Sequence, residues 1–377
     1  MRIGIDGGSW SNRRGYGRFL REIVQALAEN AAQHEYVIFL DQAGADTFAP
    51  LNRFKTRVVS LTRQIGAAAT NDGNRSLGDL ARMGRAVARE RLDVFFFPTV
   101  YSYFPLWTRV PSVVGIHDTI ADRNPQFAFQ GKRQELLWRT KVKWAIWNAT
   151  LVMTVSAYSR ECLESFYRVP PAKIRIVAEA ASSKFRPPPA AHTRQPFLLY
   201  VGGISPNKNL ATLIQSFHAC EGRRRGWRLR LAGDYGNAGF RSCYNELLQL
   251  VRERGLTDSV EFLGYVSDSE LIRLYQCAGL FVLPSYDEGF GLPAIEAMAC
   301  GTPVLASSGN ALAEVLGGAG ICVPPSDAGA LTVQMDRLIS NPELRRKMSE
   351  SGILRASLFS WKRAGSDLLD VLESARG

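Results

Sequence analysis

Short apolar runs of strand length recur along the chain, and segments with helical periodicity lie between many of them. In the first half these runs are Arg2–Asp6, Tyr36–Leu40, Arg57–Leu61, Val94–Phe97, Ser112–Ile116, Leu151–Val155 and Ile174–Val177. Gly17–Asn30, Leu80–Glu90 and Ala157–Phe166 carry the period of amphipathic helices. Runs that are apolar throughout, rather than alternating, suit strands covered on both faces. Such strands alternating with helices predict an α/β parallel sheet.

A proline-rich break, Ser182-Ser-Lys-Phe-Arg-Pro-Pro-Pro189, interrupts this pattern. Three consecutive prolines exclude a helix interior or a central strand, because each fixes φ and lacks an N–H. The alternation then restarts with Phe197–Val201, Arg228–Ala232, Val260–Leu263, Gly279–Leu283, Pro303–Ala306 and Gly320–Val323. Asn209 stands where it would cap one helix, and Ser267-Asp-Ser-Glu270 has the spacing of a capping box. Two Rossmann-like parallel-sheet domains are expected, residues 1–186 and 187–359. A last helix near 360–377 has no strand after it and is expected to pack back on the first domain. Ligands of such sheets sit beyond the carboxyl ends of the strands, so two facing sheets would place a site in the cleft between them. Residues 63–79 lack periodicity, which suits a mobile loop over that cleft or plain surface chain alike.

The length of 377 residues exceeds what one core commonly supports and agrees with two domains. No apolar run approaches the ~18 residues of a membrane span. Met1–Asp6 is too short for a secretory core and reads as a first strand, so a cytoplasmic protein is expected. Six cysteines lie far apart with no Cys-x-x-Cys, as suits reduced, mostly buried thiols rather than a disulfide framework or a zinc site. The net charge of +11 is one-sided. Residues 1–186 hold 27 Lys and Arg against 16 Asp and Glu, while the remainder is balanced at 19 and 19. The first half is therefore expected to meet something anionic: membrane headgroups, a phosphorylated acceptor or nucleic acid.

The densest chemical signal is Pro284-Ser-Tyr-Asp-Glu-Gly-Phe-Gly-Leu-Pro-Ala-Ile-Glu-Ala-Met-Ala-Cys-Gly-Thr-Pro-Val304. It leaves a strand, passes Gly289 and Gly291, and enters a helix in whose first turn Pro293 is well placed. Open backbone N–H groups at a helix start attract anions, and glycines let a phosphate approach closely. Glu288 stands in the loop, and Glu296 is expected on the first helical turn. Their carboxylates would accept strongly from sugar hydroxyls. An exposed loop followed by a glutamate that favours the helix dipole is the plain alternative.

With seven residues between them and these flanks, Glu288 and Glu296 resemble the Glu-x7-Glu motif of retaining glycosyltransferase family 4. The resemblance extends over nearly the whole chain, is strongest from Tyr200 to Pro324, and weakens between about Asp41 and Asp93. It implies the GT-B fold, two Rossmann-like domains facing each other across a cleft. Glu288 would then contact the donor sugar, Glu296 the ribose, and the backbone of Gly289, Phe290, Gly291 and Leu292 the sugar and diphosphate. Tyr200-Val-Gly-Gly-Ile-Ser-Pro-Asn-Lys-Asn209 is similar to the family's phosphate loop, with Lys208 the cation on the diphosphate. Many relatives carry Arg where this chain has Gly203, so Arg13, Arg14 or Arg18 would supply a second cation, or Lys208 and helix N–H groups act alone. Phe262-Leu-Gly-Tyr-Val266 resembles the turn whose backbone, near Val266, meets the base.

In the first domain, Arg13-Arg-Gly-Tyr-Gly-Arg-Phe19 resembles the family's glycine-rich loop, with Gly15 and Gly17 approaching a phosphate and Arg14 and Tyr16 on the acceptor side. A nicotinamide fingerprint fits poorly, because it would need glycine at Leu20. His117-Asp118 follows a strand where the family has a His beside the donor sugar, so the resemblance implies His117, Lys208 and Glu288 as catalytic residues; Asp118 would face the acceptor. Thr154-Val-Ser-Ala-Tyr-Ser-Arg160 matches a strand-to-helix turn with Ser156 as N-cap.

The resemblance implies hexosyl transfer from a nucleotide sugar with retention, the departing phosphate oxygen taking the acceptor's proton. That route needs positioning and charge stabilisation. There is no Asp-x-Asp, and no metal or other cofactor is expected. The chain looks most like bacterial mannosyltransferases of surface-polysaccharide assembly, so GDP-mannose is the expected donor, with UDP-glucose or another hexose donor still open. A glycan or polyprenyl-diphosphate-linked acceptor is expected, with peripheral contact to an anionic membrane. Lys132-Arg-Gln-Glu-Leu-Leu-Trp-Arg-Thr-Lys-Val-Lys-Trp-Ala-Ile-Trp147 reads as an interfacial helix or as a core helix with a basic edge. A nucleotide-sugar epimerase or a phosphorylase on the same architecture is a competing class. A nucleic-acid-binding module is another, though no aromatic cluster for base stacking accompanies the basic residues.

Overall fold

The computed structural model describes residues 1–12, 15–30, 33–49, 51, 53–62, 76–189, 194–235 and 242–377. Its described residues fall into two compact units. The first holds Met1–Glu179 and Trp361–Gly377, and the second holds those between. The division falls at Glu179/Ala180, upstream of the triple proline.

In the first unit the strands are β1 (Arg2–Asp6), β2 (Glu35–Leu40), β3 (Phe54–Val58), β4 (Val94–Phe97), β5 (Ser112–Gly115), β6 (Leu151–Thr154) and β7 (Ile174–Ile176). They form one sheet, ordered β3-β2-β1-β4-β5-β6-β7, in which every pairing is parallel. Helices α1 (Gly15–Asn30), α2 (Gln42–Thr47), α3 (Leu77–Ala88), α4 (Ile120–Arg123), α5 (Pro125–Ala128), α6 (Lys132–Asn148) and α7 (Ala157–Tyr167) alternate with them. The central strand β4 is Val-Phe-Phe-Phe, and all four side chains are inaccessible to water. Burying each phenylalanine stabilises the unit by about 1.5–3 kcal/mol. Only cover on both sheet faces allows such a run.

The expected strand Arg57–Leu61 is displaced: β3 spans Phe54–Val58, with Tyr36 opposite Phe54 and Leu40 opposite Val58. An edge strand pairs on one side only and need not be apolar throughout, so the apolar residues that follow it misled the pattern. Of the aperiodic segment 63–79, residues 63–75 lie outside the described ones, and α3 begins at Leu77. Ser156 caps α7 as expected, accepting from the Ser159 N–H.

The second unit repeats the plan with β8 (Gln195–Val201), β9 (Arg228–Ala232), β10 (Val260–Gly264), β11 (Ala278–Leu283), β12 (Val304–Ser307) and β13 (Ile321–Val323). Their order is β10-β9-β8-β11-β12-β13, again all parallel. Its helices are α8 (Leu210–Ala219), α9 (Glu221–Arg224), α10 (Tyr244–Glu253), α11 (Asp268–Cys277), α12 (Leu292–Ala299), α13 (Ala311–Leu316), α14 (Ala328–Ser340) and α15 (Pro342–Ala356). The Ser267/Glu270 capping box is present at α11. Asn209 does not cap α8: its backbone is left-handed (φ 56°), and its side chain donates instead to the carbonyls of Pro284 and Pro325 at 3.1 and 2.7 Å. The chain ends in α16 (Trp361–Arg376), which packs along α1 in the first unit. Asn30 donates to the Lys362 carbonyl at 2.5 Å, and the Trp361 ring meets Phe19 edge-on.

Candidate functional site

In the second sheet the strand order reverses direction between β8 and β11, and the loops leaving those two strands emerge side by side. A switch point of this kind is where open α/β sheets bind ligands. The Tyr286 N–H of one loop donates to the Asn207 carbonyl of the other at 2.9 Å. From the β8 loop, Lys208 Nζ donates to Glu288 Oε1 at 2.7 Å. Ser285 Oγ donates to the same oxygen at 2.6 Å. The Ser285 carbonyl in turn accepts from Ser307 Oγ, and Asn310 Nδ2 donates to Ser307 Oγ at 3.0 Å while its Oδ1 caps α13. Glu288 is thus held from the C-terminal end of β12 as well as by Lys208. The lysine and glutamate side chains keep 20% and 11% of their surface, so the pair is reachable from solvent.

Gly291 has to be glycine: its φ is 98°, and a Cβ there would lie 2.3 Å from Leu312 Cδ2. It directly precedes α12. Phe290 and Leu292 on either side are buried, Phe290 against Phe359, and Gly289 is buried with them. What these four residues can offer a ligand is therefore backbone. Gly203 is the opposite case, because a Cβ there would meet nothing within 4 Å.

Glu296 is one residue beyond the first turn of α12 expected for it, since the helix starts at Leu292. It is buried, and Tyr275 donates to its Oε2 at 3.1 Å. Val266 is half-buried after β10, the outermost strand on its side, two strands from β8. The structure thus joins Lys208 to Glu288 directly and holds Glu296 through a different partner.

The first unit gathers a second cluster beyond β5. His117 is buried, with Nδ1 2.9 Å from Glu179 Oε1 and Nε2 2.9 Å from the Pro98 carbonyl. Burial alone would lower its pKa, but the Glu179 carboxylate outweighs that and, with Pro98 and Asp118, raises it above the ordinary 6.5. Both neighbours accept, so the imidazolium form satisfies both ring nitrogens. Phe19 and Tyr16 meet the ring edge-on at 4.5 and 5.3 Å. Tyr16 donates to Asp118 Oδ2 at 3.0 Å, and burial followed by the Asp118 charge pushes its phenol well up. Nearby, Asp122 accepts from Tyr167 at 2.5 Å and Trp138 at 2.9 Å, and burial pushes it up to about 6. Gly15 is exposed at the start of α1, while a Cβ on Gly17 would collide with the Asn12 carbonyl at 1.8 Å. Gly17 therefore lets the preceding turn pack on the helix. Arg14 lies outside the described residues.

Sequence reasoning missed Ser285, the Ser307–Asn310 chain, Tyr275 and Glu179. Ser285 sits inside the informative stretch, and its spacing to Glu288 was a usable signal. Glu179 pairs with a residue 62 positions away, and nothing local marks it. Among the described residues no group of three or more His, Cys, Asp or Glu is placed to hold a metal ion.

Residues 182–355 match the family model described as Glycosyl transferases group 1, and residues 13–181 match Glycosyltransferase Family 4. The two matches adjoin, and over residues 13–355 the chain is similar to the family 4 glycosyltransferases, whose GT-B fold of two parallel-sheet units it has. It is 32% identical over 235 residues to O-antigen chain mannosyltransferase B of Escherichia coli, covering 59% of this chain and 60% of that protein. It is likewise 32% identical over 230 residues to the MMP alpha-(1->4)-mannosyltransferase of Mycolicibacterium hassiacum, covering 59% and 54%. A D-inositol 3-phosphate glycosyltransferase of Saccharomonospora viridis is 31% identical, over 56% and 53%. The chain thus spans between half and two thirds of the length of these curated relatives. In fold it is similar to sucrose-phosphate synthase from Thermosynechococcus elongatus (TM-score 0.79, 23% identical, 99% and 98% covered). The Anabaena protein Alr3699/HepE, solved with UDP and glucose, is similar too (TM-score 0.74, 18% identical, 99% and 100% covered).

Proposed function

We propose that the protein transfers a hexose with retention, mannose from GDP-mannose being the first choice, to a glycan or polyprenyl-diphosphate-linked acceptor. The observation that carries this reading is the Lys208–Glu288 pair at the β8/β11 switch point, supported by Ser285 and still open to solvent. Without donor the two charges neutralise each other. A diphosphate competes for the ammonium, and Glu288, relieved of its cation, accepts from sugar hydroxyls. The β-phosphate charge that develops as the glycosidic bond breaks falls on Lys208 and on backbone N–H groups near Gly289–Leu292. The departing phosphate oxygen takes the acceptor's proton, so no side chain is needed as base. His117, with an acceptor at each ring nitrogen, holds its loop as a positioning residue. No metal is needed on this route, and chelator is expected to leave the rate unchanged.

The names of two relatives favour mannose, and the Anabaena structures with UDP and UDP-glucose are the reason to keep uridine donors in the test. The experiment is thermal unfolding with GDP-mannose, UDP-glucose and ADP-glucose, since a ligand bound only by the native state raises its stability. GDP-mannose is expected to stabilise most. Stabilisation by UDP-glucose instead would replace the donor, and stabilisation by none would remove the reading.

A further inference from the structure

Helix α6 carries apolar side chains on two opposite faces. Trp138, Val142 and Ala145 enter the core of the first unit. On the other side Leu136, Leu137, Trp144 and Trp147 are 66%, 63%, 49% and 75% exposed. At about 100° per residue these four share one arc with Arg133 and Thr140, and Lys132 and Lys143 border it. The helix's one carboxylate, Glu135, lies off this arc and pairs with Arg139 at 2.9 Å. Trp144 and Trp147 meet edge to face, 5.9 Å between ring centres. Several bonds fix the helix with this face outward. Trp138 Nε1 and Arg139 Nη2 donate to Asp122, and Lys173 Nζ donates to the Ile146 carbonyl at 2.6 Å.

Four large apolar side chains in one exposed, carboxylate-free patch mark a contact surface. We propose that this face of α6 is the docking surface for an anionic lipid bilayer. Indole rings favour the headgroup level, leucines reach the acyl boundary, and bordering cations pair with anionic headgroups. Charge selects the partner: residues 1–186 hold 27 basic against 16 acidic residues, while the remainder is balanced. A second copy docked by the same face would set Arg133, Lys132 and Lys143 against themselves. The proposal rests on the glycosyltransferase reading only in its purpose, which is to bring the enzyme to a lipid-linked acceptor.

The test is flotation of the whole chain with vesicles of phosphatidylcholine alone or mixed with phosphatidylglycerol, at low and high salt. The wild type is expected to float with the anionic vesicles at low salt and less at high salt. The pairs Trp144→Ser/Trp147→Ser and Leu136→Ser/Leu137→Ser should each lower partitioning roughly tenfold or more with unchanged melting, because these side chains are exposed. No flotation of the wild type at low salt would overturn the proposal, as would flotation of both variant pairs at the wild-type level. So would a tryptophan variant that turns a dimer into a monomer, since the face would then belong to a second copy. Stabilisation by GDP-mannose should be the same in wild type and variants. A wild type that floats but is not stabilised by GDP-mannose would count against the donor reading alone, and one that is stabilised but does not float against the docking face alone.

Discussion

His117 with Glu179 in one unit and Lys208 with Glu288 in the other are both cation–carboxylate pairs beyond the carboxyl ends of parallel strands. They differ in who can reach them. The histidine and its glutamate keep 6% and 7% of their side-chain surface, and the second ring nitrogen is taken by Pro98. The lysine and its glutamate keep 20% and 11%, in loops at the sheet's switch point. A pair sealed from water has no partner to exchange with and works as a fastening. A pair open to water can hand its cation to an incoming anion. Residue type and strand-end position are shared, so accessibility is what gives the proposed binding role to the second pair and the fastening role to the first.

The comparison breaks first at His117. His117→Ala leaves Glu179 buried without its cation and should cost about 3–5 kcal/mol of stability. Urea unfolding checks this, and an unchanged midpoint would show that the pair fastens nothing. Lys208→Ala should do the reverse, lowering turnover at saturating donor about 10²–10³-fold with little change in melting. A near-wild-type rate would sink the role given to Lys208. Ser285→Ala removes one donor from Glu288 and should lower kcat/KM about five- to tenfold, with Thr restoring much of it.

The pH dependence of unfolding sharpens the contrast. His117 is raised above 6.5, so its contribution is full below that value and is lost as pH climbs through the raised folded pKa. Asp122, raised from 3.8 to about 6, adds a loss in a lower window, between about 4 and 6. These two groups should therefore each contribute a fall with rising pH, the lower removed by Asp122→Asn and the upper by His117→Ala. Calorimetry from pH 4 upward, wild type against each variant, reads both as differences, because the lowered carboxyls of Asp79 and Glu90 slope the other way near pH 4; a variant whose profile matches the wild type would refute its assignment. The smallest effect is expected at Gly203, where there is room for a side chain. Gly203→Arg should fold normally and tighten donor binding roughly threefold or more, as titration calorimetry would show.

Much of this was readable along the chain. Strands β1, β4 and β9 begin and end where the sequence pattern put them, and β4 is apolar throughout, as a central strand covered on both faces must be. The motif from Pro284 to Val304 held Glu288, the required glycine at 291 and the start of α12, all consequences of local spacing. Sheet edges and partnerships were not readable. β3 escaped because one-sided pairing leaves no continuous pattern, and Asn209 escaped because its left-handed backbone aims the side chain at carbonyls of other loops. The alternation of strands and helices belongs to the sequence by itself, since burial is demanded of each short segment wherever it lands. Tertiary structure alone decided that Glu179 seals His117 across 62 positions and that Lys208 meets Glu288 across 80. Such pairs form only after the order of strands has brought distant loops together, and no local periodicity encodes that order.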